Sequence, residues 1–188
     1  VLNSADFGVP QRRRRAFFVA ARDSLRPALP RPTHAAEAGP ALFDLPRHVT
    51  VWEAIGDLPS LLHGEGIDPV EYDGEARTAF QRWARGNGSM VRNHVARRLE
   101  ATQLARLASL KPGEGLKQLP EALKVRSGYS GAYGRLTEDM VAPTITRWVF
   151  HPGSGRFGHP RDVRVITIRE AARLQGFPDS FGFSGTYV

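Results

Sequence analysis

The sequence predicts an α/β chain of the mixed α+β kind, built from short helices and short strands. Three observations lead to this prediction. Apolar residues make up 41% of the 188 residues, which is an ordinary share for a chain that buries a core. Two helix starts carry the capping-box pattern. Compact runs of Phe, Tyr and Val lie between Gly- and Pro-rich turns, which is typical of strands.

The amino-terminal residues predict two extended segments and a long connection. Val1–Gly8 is short and is broken by Val9-Pro10. Arg15–Ala21 is an apolar run rich in Phe and Val, which we predict to be a buried strand. Joined across the turn, the two segments would form a hairpin or a tight crossover. Five prolines between residues 26 and 46 indicate a connecting stretch on the surface.

Two helices are predicted in the acidic part of the chain. Thr50 and Glu53 have the spacing of a capping box, in which each side chain satisfies an unpaired amide at a helix start. This predicts a short helix over 51–58. A helical pattern over 75–85 ends at Gly86, since glycine commonly follows the last turn of a helix.

The second half of the chain predicts further helices around a region of loops and strands. Apolar residues over 95–110 repeat at the spacing of one or two amphipathic helices. Aromatic and β-branched residues among Gly, Ser and Thr over 125–150 favour strands and loops. A second capping box, Thr167 with Glu170, starts a helix that ends before Gly176.

Charge is segregated along the chain. Residues 1–35 carry seven bases and two acids, and residues 81–135 carry eleven bases and three acids. Residues 36–80, in contrast, carry two bases and nine acids. Two basic blocks separated by an acidic one indicate one face that binds a polyanion. Coding bias is an alternative reason for Arg over Lys, but it does not explain the segregation.

Several chemistries are excluded or disfavoured. The chain has no Cys, so it has no disulfide, no thiolate metal site and no cysteine nucleophile. The GxGxxG pattern at 153–158 precedes His159-Pro160 instead of a helix, which indicates a loop and no dinucleotide site. The histidines at 151 and 159 lack the neighbours of a metal site, so we expect no metal.

The ends and the apolar runs of the chain carry two further expectations. No apolar run approaches 18 residues, so no spanning segment is expected. Val1 is not an initiator Met, and we therefore expect an excised region of a longer protein.

Residues 11–15 combine one glutamine with four arginines. Strand side chains alternate, so Gln11, Arg13 and Arg15 are predicted to share one face, with Arg12 and Arg14 on the other. A glutamine and two guanidiniums on one face suit bidentate contacts to phosphates or base edges. A solvated basic turn is the alternative interpretation.

Two segments near the ends of the chain carry a family resemblance. Residues 3–15, with Gly8-Val9-Pro10-Gln11 before the arginines, closely resemble the eighth conserved block of the DNA (cytosine-5)-methyltransferases. Residues 164–179, from Arg164 through Thr167-Ile168-Arg169-Glu170 to Gly176-Phe177-Pro178-Asp179, resemble the ninth block. Residues 134–146 are similar to the end of the target recognition region in bacterial members. The chain is thereby identified as the C-terminal region of such a bacterial enzyme, namely its target recognition domain with the eighth and ninth conserved blocks.

The resemblance implies a division of the chain. Residues 1–35 would be a remnant of the Rossmann-like methyltransferase sheet, with the eighth block as a hairpin. Residues 36–160 would form a small target recognition domain of short helices and strands. Residues 161–188 would hold the ninth-block helix, which returns toward the catalytic domain.

The resemblance also implies a reaction and its partners. The family transfers a methyl group from S-adenosylmethionine to C5 of a cytosine flipped from the duplex. Its cofactor turn and its Pro-Cys loop precede the eighth block and are missing here, so the isolated chain is predicted to bind no cofactor and to be inactive. The implied partners are double-stranded DNA and the catalytic domain, in the same polypeptide or in a separate subunit. The implied setting is bacterial restriction–modification at the nucleoid in the cytoplasm, without a membrane.

Site residues follow from the resemblance where motifs match. Arg15 would lie at the target-cytosine pocket with Arg13, while Gln11 and Arg13 would contact the flipped nucleotide or its phosphates. The predicted DNA contacts are Gln11, Arg13, Arg92, Arg97, Arg98, Lys124, Arg126, Arg135, Thr144, Thr146 and Arg147. Within this set, the loop around Arg126–Arg135 and the stretch Thr144–Arg147 would read bases, and Arg92, Arg97, Arg98 and Lys124 would anchor phosphates. The structural ninth-block residues are Arg164, Thr167, Arg169, Glu170 and Arg173, with Glu170 as a helix cap and not an acid catalyst.

Alternatives to this interpretation remain. The chain is alternatively the recognition subunit of a split methyltransferase, or a nucleic-acid-binding module without an enzymatic partner. A third alternative is a small interaction domain whose basic surface binds acidic protein. Related enzymes that methylate transfer RNA share the eighth block, although the size of the central region favours DNA.

Overall fold

The computed structural model describes residues 1–22, 28–37, 45–125 and 131–185. Its short strands and helices confirm the predicted mixed α+β class. In chain order the elements are β1 (Leu2–Asn3), β2 (Arg14–Arg15), α1 (Val51–Ile55), β3 (Val70–Glu71), α2 (Ala79–Arg85), β4 (Met90–Val91), α3 (Ala101–Ala108) and α4 (Ile168–Leu174). Single turns of 3-10 helix lie at Ser4–Phe7, Leu116–Gln118, Glu121–Leu123 and Pro152–Ser154.

The strands of the described residues form two antiparallel pairs. β1 pairs with β2, with Leu2 opposite Arg15, which confirms the predicted amino-terminal hairpin. β3 pairs with β4, with Val70 opposite Val91. The predicted buried strand over 15–21 is wrong, because pairing ends at Arg15 and the following apolar residues lie at the surface. The run has strand-forming residues, but a strand also needs a neighbour, and no described segment lies beside it.

The capping boxes position the helices as the sequence indicates. The Thr50 side chain accepts from the amide of Glu53 at 3.2 Å, and the Glu53 carboxylate accepts from the Thr50 amide at 2.8 Å. α2 begins later than residue 75, because Thr78 and Gln81 form a further capping box that the pattern did not reveal. α3 likewise occupies only the middle of the predicted 95–110 helical region.

One main core joins the middle of the chain to its carboxyl-terminal helix. α1 packs against α4 and α2. Val51 and Ile55 from α1 meet Leu136, Ile166 and Leu174, all of them nearly inaccessible to solvent. The core therefore includes residues on both sides of the boundary predicted at residue 160, and the division of the chain stays a prediction.

The described region from residue 131 to the start of α4 consists mainly of loops. Among the described residues 131–150, pairing is limited to isolated bridges, such as Gln11 with Ala142 and Arg135 with Gly158, so the strands expected there do not form. α4 ends as predicted, since Gly176 adopts a φ of 79°, which lies in the left-handed region that glycine tolerates. In the described part of the chain, the helices are too short or too polar to cross a membrane.

Candidate nucleic-acid interface

The cationic segment, residues 11–15, is anchored by a facing segment, residues 142–146. The amide of Arg12 donates to the carbonyl of Ala142 at 2.8 Å, and the amide of Ala142 donates to the carbonyl of Pro10 at 3.1 Å. The hydroxyl of Thr144 donates to the carbonyl of Arg12 at 2.9 Å. These bonds join positions that are more than 120 residues apart in sequence, and none of them uses a guanidinium.

The glutamine of the cationic segment points inward. Gln11 is 1% exposed, and its Nε2 donates to the carbonyl of Leu174 at the end of α4. Its Oε1 has no hydrogen-bond partner among the described residues. Gln11 thus ties the cationic segment to α4, which is a different position from the solvent-facing one that strand alternation predicts.

The arginines of the cationic segment face outward to different degrees. Arg13 is half-buried, whereas Arg12, Arg14 and Arg15 are exposed. The Arg15 guanidinium donates to the carbonyl of Arg14 at 2.7 Å. Four guanidiniums on consecutive residues, held by backbone bonds on their inner side, make a concentrated positive surface that suits phosphate oxygens.

Other predicted contact residues are distributed over the surface. Arg92, Arg98, Thr146 and Arg147 are exposed. Lys124 is exposed as well, and its ammonium contacts the carboxylate of Glu121 at 2.5 Å. The half-buried Arg97 lies over the ring of Phe150. Arg126 lies outside the described residues.

Arg135 has a position inside the protein. It is 6% exposed, and burial lowers the pKa of its guanidinium. The guanidinium donates to the carbonyls of Leu110, His159, Pro160 and Arg161 at 2.9 to 3.1 Å. These bonds join the loop that carries Arg135 to Leu110 and to the loop of residues 159–161. The Arg135 guanidinium is therefore committed to the interior and is not available at the surface. Thr144 is similarly engaged with the backbone of Arg12.

The first half of α4 is organised by a buried ion pair. The Arg164 guanidinium donates to both carboxylate oxygens of Glu170 at 2.8 Å. Glu170 also accepts from the amide of Thr167 at 2.7 Å, as a capping residue does. Burial would raise the pKa of Glu170, but the neighbouring Arg164 outweighs burial and holds that pKa below its usual value. Glu170 is therefore a fully bonded carboxylate without a proton to donate.

The second half of α4 is fixed by Arg173 and Arg169. Arg173 contacts Asp57 and Asp179, with its Nη2 2.5 Å from Asp179. Arg169 donates to the carbonyls of Arg92 at 2.8 Å and Phe181 at 2.7 Å. The sequence-based reasoning missed Asp57 and Asp179. A signal for them was present in the sequence, because Arg169 and Arg173 lie on a helix whose other residues, apart from Glu170, are apolar. Guanidiniums buried on such a helix need acidic partners.

The described residues were compared with the side-chain arrangements that metal ions and S-adenosylmethionine would need. They contain no group of three or more His, Asp or Glu side chains arranged to hold a metal ion. A cavity of about 490 Å³ beside α2 is lined by Arg85, Arg92 and Asp179 among others. The sulfonium of S-adenosylmethionine is cationic, and the one carboxylate in this lining is already paired with Arg173. This lining therefore offers no free carboxylate to a cationic group.

Comparison with solved structures shows the class of fold. An Escherichia coli structure of a prophage-encoded DNA modification methyltransferase superposes with a TM-score of 0.64. The two are 24% identical, and the match covers 97% of this chain and 50% of that one. The fold is that of part of a methyltransferase.

Sequence comparison shows the family. The family model for C-5 cytosine-specific DNA methylases matches residues 1–188, so the chain belongs to that family. It is 35% identical to a type II methylase, M.HgiDII, of Herpetosiphon aurantiacus over 98% of this chain and 45% of that protein. It is 31% identical to DNA (cytosine-5)-methyltransferase 1B of Oryza sativa subsp. japonica over 98% of this chain and 15% of that protein. The chain thus spans less than half the length of these relatives.

These findings correct one prediction. The identification of the chain as a C-terminal region set apart as a target recognition domain is wrong. The methylase family model and the relatives match the chain from end to end. The sequence shows a basic central segment between two motifs, whereas in the structure residues of that segment share one core with α4.

Proposed function

We propose that this chain supplies DNA contacts to a DNA (cytosine-5)-methyltransferase, which transfers a methyl group from S-adenosylmethionine to C5 of a flipped cytosine. The observation that carries the proposal is the cationic segment, whose guanidiniums are held outward by the bonds between Arg12, Ala142 and Thr144. Membership in the methylase family supports the reaction. The substrate is double-stranded DNA.

Roles within the interface follow from exposure and charge. Arg15 and Arg13 contact the flipped cytosine and its flanking phosphates, because they are the arginines that match the family motif, with Arg15 exposed and Arg13 half-buried. The exposed Arg92, Arg98 and Arg147 anchor phosphates farther along the duplex. Gln11 acts from the inside, because its bond to Leu174 fixes the position from which the arginines project.

The chain acts together with a catalytic part. Methylation at C5 needs a thiolate that adds to the cytosine ring, and this chain has no Cys. The isolated chain is therefore inactive in this proposal, and it binds no cofactor by itself. The apolar residues after β2 support such a partner, because Phe17 is 59% exposed and Phe18 is 97% exposed. We propose that they pack against the catalytic part, in the same polypeptide or in a second subunit.

Salt dependence of duplex binding tests the DNA contact. Each phosphate contact contributes about 0.9 to the slope of log affinity against log salt, so the chain should bind less tightly as salt rises. Changing Arg13 and Arg15 to Ala together should reduce that slope by about two. Arg82→Ala is the matched control, since Arg82 is an exposed arginine on α2 outside the interface. Affinity that is independent of salt would contradict the proposal.

A second experiment tests the role of Arg15 at the reacting base. In the complete enzyme, Arg15→Ala should reduce turnover far more than it reduces duplex affinity, because the guanidinium is assigned to the flipped cytosine. Equal losses of turnover and affinity would assign Arg15 to phosphate binding alone. Full activity of the isolated chain would overturn the need for a catalytic part.

A further inference from the structure

Two aromatic side chains lie at the surface just beyond the facing segment. Trp148 is 50% exposed, and its ring and the ring of Phe150 meet edge to face, with centroids 5.6 Å apart. Val149 between them packs against the main core. We name Trp148 and Phe150 the aromatic platform. The exposed part of Trp148 is apolar surface that the rest of the described fold does not cover.

Arginines flank both rings of the platform. The Arg147 guanidinium carbon lies 5.1 Å from the centroid of Trp148, and that of Arg97 lies 5.1 Å from the centroid of Phe150. Arg147, Trp148 and Phe150 line an open recess of about 310 Å³. An aromatic face beside guanidiniums suits a flat π-system on a negatively charged chain, which describes an unstacked nucleobase.

The platform has a fixed backbone near the cationic segment. The amide of Val149 donates to the carbonyl of Thr146 at 3.2 Å, and the amide of His151 donates to the carbonyl of Trp148 at 2.9 Å. Thr144 is bonded to Arg12, and four residues of chain span at most about 15 Å. Trp148 therefore lies within about four nucleotides of the cationic segment, measured along one strand, and Phe150 is in contact with Trp148.

From these contacts we propose that Trp148 and Phe150 stack against an unpaired base of the DNA that the cationic segment holds. This inference rests on the proposed function and adds a base-binding site to it. Arg147 and Arg97 attract the strand and orient the rings. A base is displaced from its stack whenever a neighbouring nucleotide is flipped, and the platform gives such a base a new partner.

The test compares two single strands of equal charge. One is an oligothymidylate of about 12 nucleotides, and the other is the same backbone with abasic residues. Binding of the 188-residue chain is measured at fixed low salt. The chain should bind the base-bearing strand on the order of tenfold more tightly, and Trp148→Ala should remove this preference. Trp148→Phe should retain most of it, because the π-face remains.

Trp83→Ala is the matched control. Trp83 is 51% exposed and also contacts a phenylalanine, but it belongs to α2 and lies outside the platform. It should leave the preference unchanged. A preference that survives Trp148→Ala, or equal binding of both strands, would overturn the stacking site and leave the DNA contact intact. Absence of salt-dependent binding to either strand would instead overturn both proposals.

Discussion

The hydroxyl of Thr144 donates a hydrogen bond to the main-chain carbonyl of Arg12 at 2.9 Å. The bond links two segments separated by 132 residues, and two backbone bonds between Ala142 and residues 10 and 12 lie beside it. Because the anchor uses backbone atoms of the cationic segment, it fixes the segment without using its charges. Loss of the anchor should therefore affect DNA binding through position and not through charge.

Thr144→Val should lower the free energy of unfolding by about 1 kcal/mol, because the Arg12 carbonyl loses its donor while the side-chain volume is kept. Thr144→Ser should retain most of the stability. Thr146→Val provides the control, since Thr146 is an exposed threonine two residues along. Urea denaturation measures all three variants. Similar losses for Thr144→Val and Thr146→Val would show that the bond to Arg12 is not stabilising.

Arg173→Ala should destabilise the protein by about 3 kcal/mol, because it removes the buried guanidinium that Asp57 and Asp179 share and leaves them only Arg85 and the more distant Arg169. Lys124→Ala is the comparison, as its pairing with Glu121 is exposed and contributes less than about 1 kcal/mol. Thermal or urea denaturation gives both values. A loss for Arg173→Ala no larger than that for Lys124→Ala would contradict the assigned role.

Stability should fall as the pH is lowered from 6.5 to 4. Burial lowers the pKa of His159 to about 4, against about 6.5 in the unfolded chain. Between these values the unfolded chain binds more protons, so the free energy of unfolding rises with pH, by about 3 kcal/mol over the window. His159→Asn should flatten this part of the profile. An unchanged slope in His159→Asn would assign the dependence to other groups.

Phe18→Ser should leave the stability of the isolated chain within about 0.5 kcal/mol, because the side chain is almost fully exposed. In the complete enzyme the same change should lower the melting temperature, since the proposed contact with the catalytic part is lost. Leu62→Ser serves as the control, as Leu62 is an apolar residue that is 68% exposed elsewhere on the chain. Equal melting temperatures for the enzyme with and without Phe18→Ser would exclude that contact.

Local features of the fold were predictable from the sequence. The capping boxes at Thr50 and Thr167 were found because each depends on a side chain three residues away. The amino-terminal hairpin was found for a similar reason, since a turn at Gly8 returns the chain on itself. The box at Thr78 was missed because a helical pattern begins ahead of it, which moved the expected start of the helix to residue 75.

Features that depend on distant partners were not predictable in the same way. The strand after Arg15 was expected from composition, but a strand also depends on a neighbour that composition does not show. Arg135 has the sequence context of a surface arginine, yet its guanidinium binds carbonyls of two other segments, at Leu110 and at residues 159–161. The aromatic platform lies in the region over 125–150, where the sequence predicted only strands and loops, and the exposure of Trp148 became visible only in the structure.

The sequence by itself determined the mixed fold class, the starts of α1 and α4, the segregation of charge and the resemblance to cytosine-5 methyltransferases, because short motifs and composition carry them. Only the tertiary structure decided which arginines are exposed and which are committed to the interior. The reason is that burial and pairing depend on contacts between segments that are distant in sequence. Residues 11–15, for example, contact residues 142–146 and the end of α4. A guanidinium acts on DNA only where these contacts leave it in solvent.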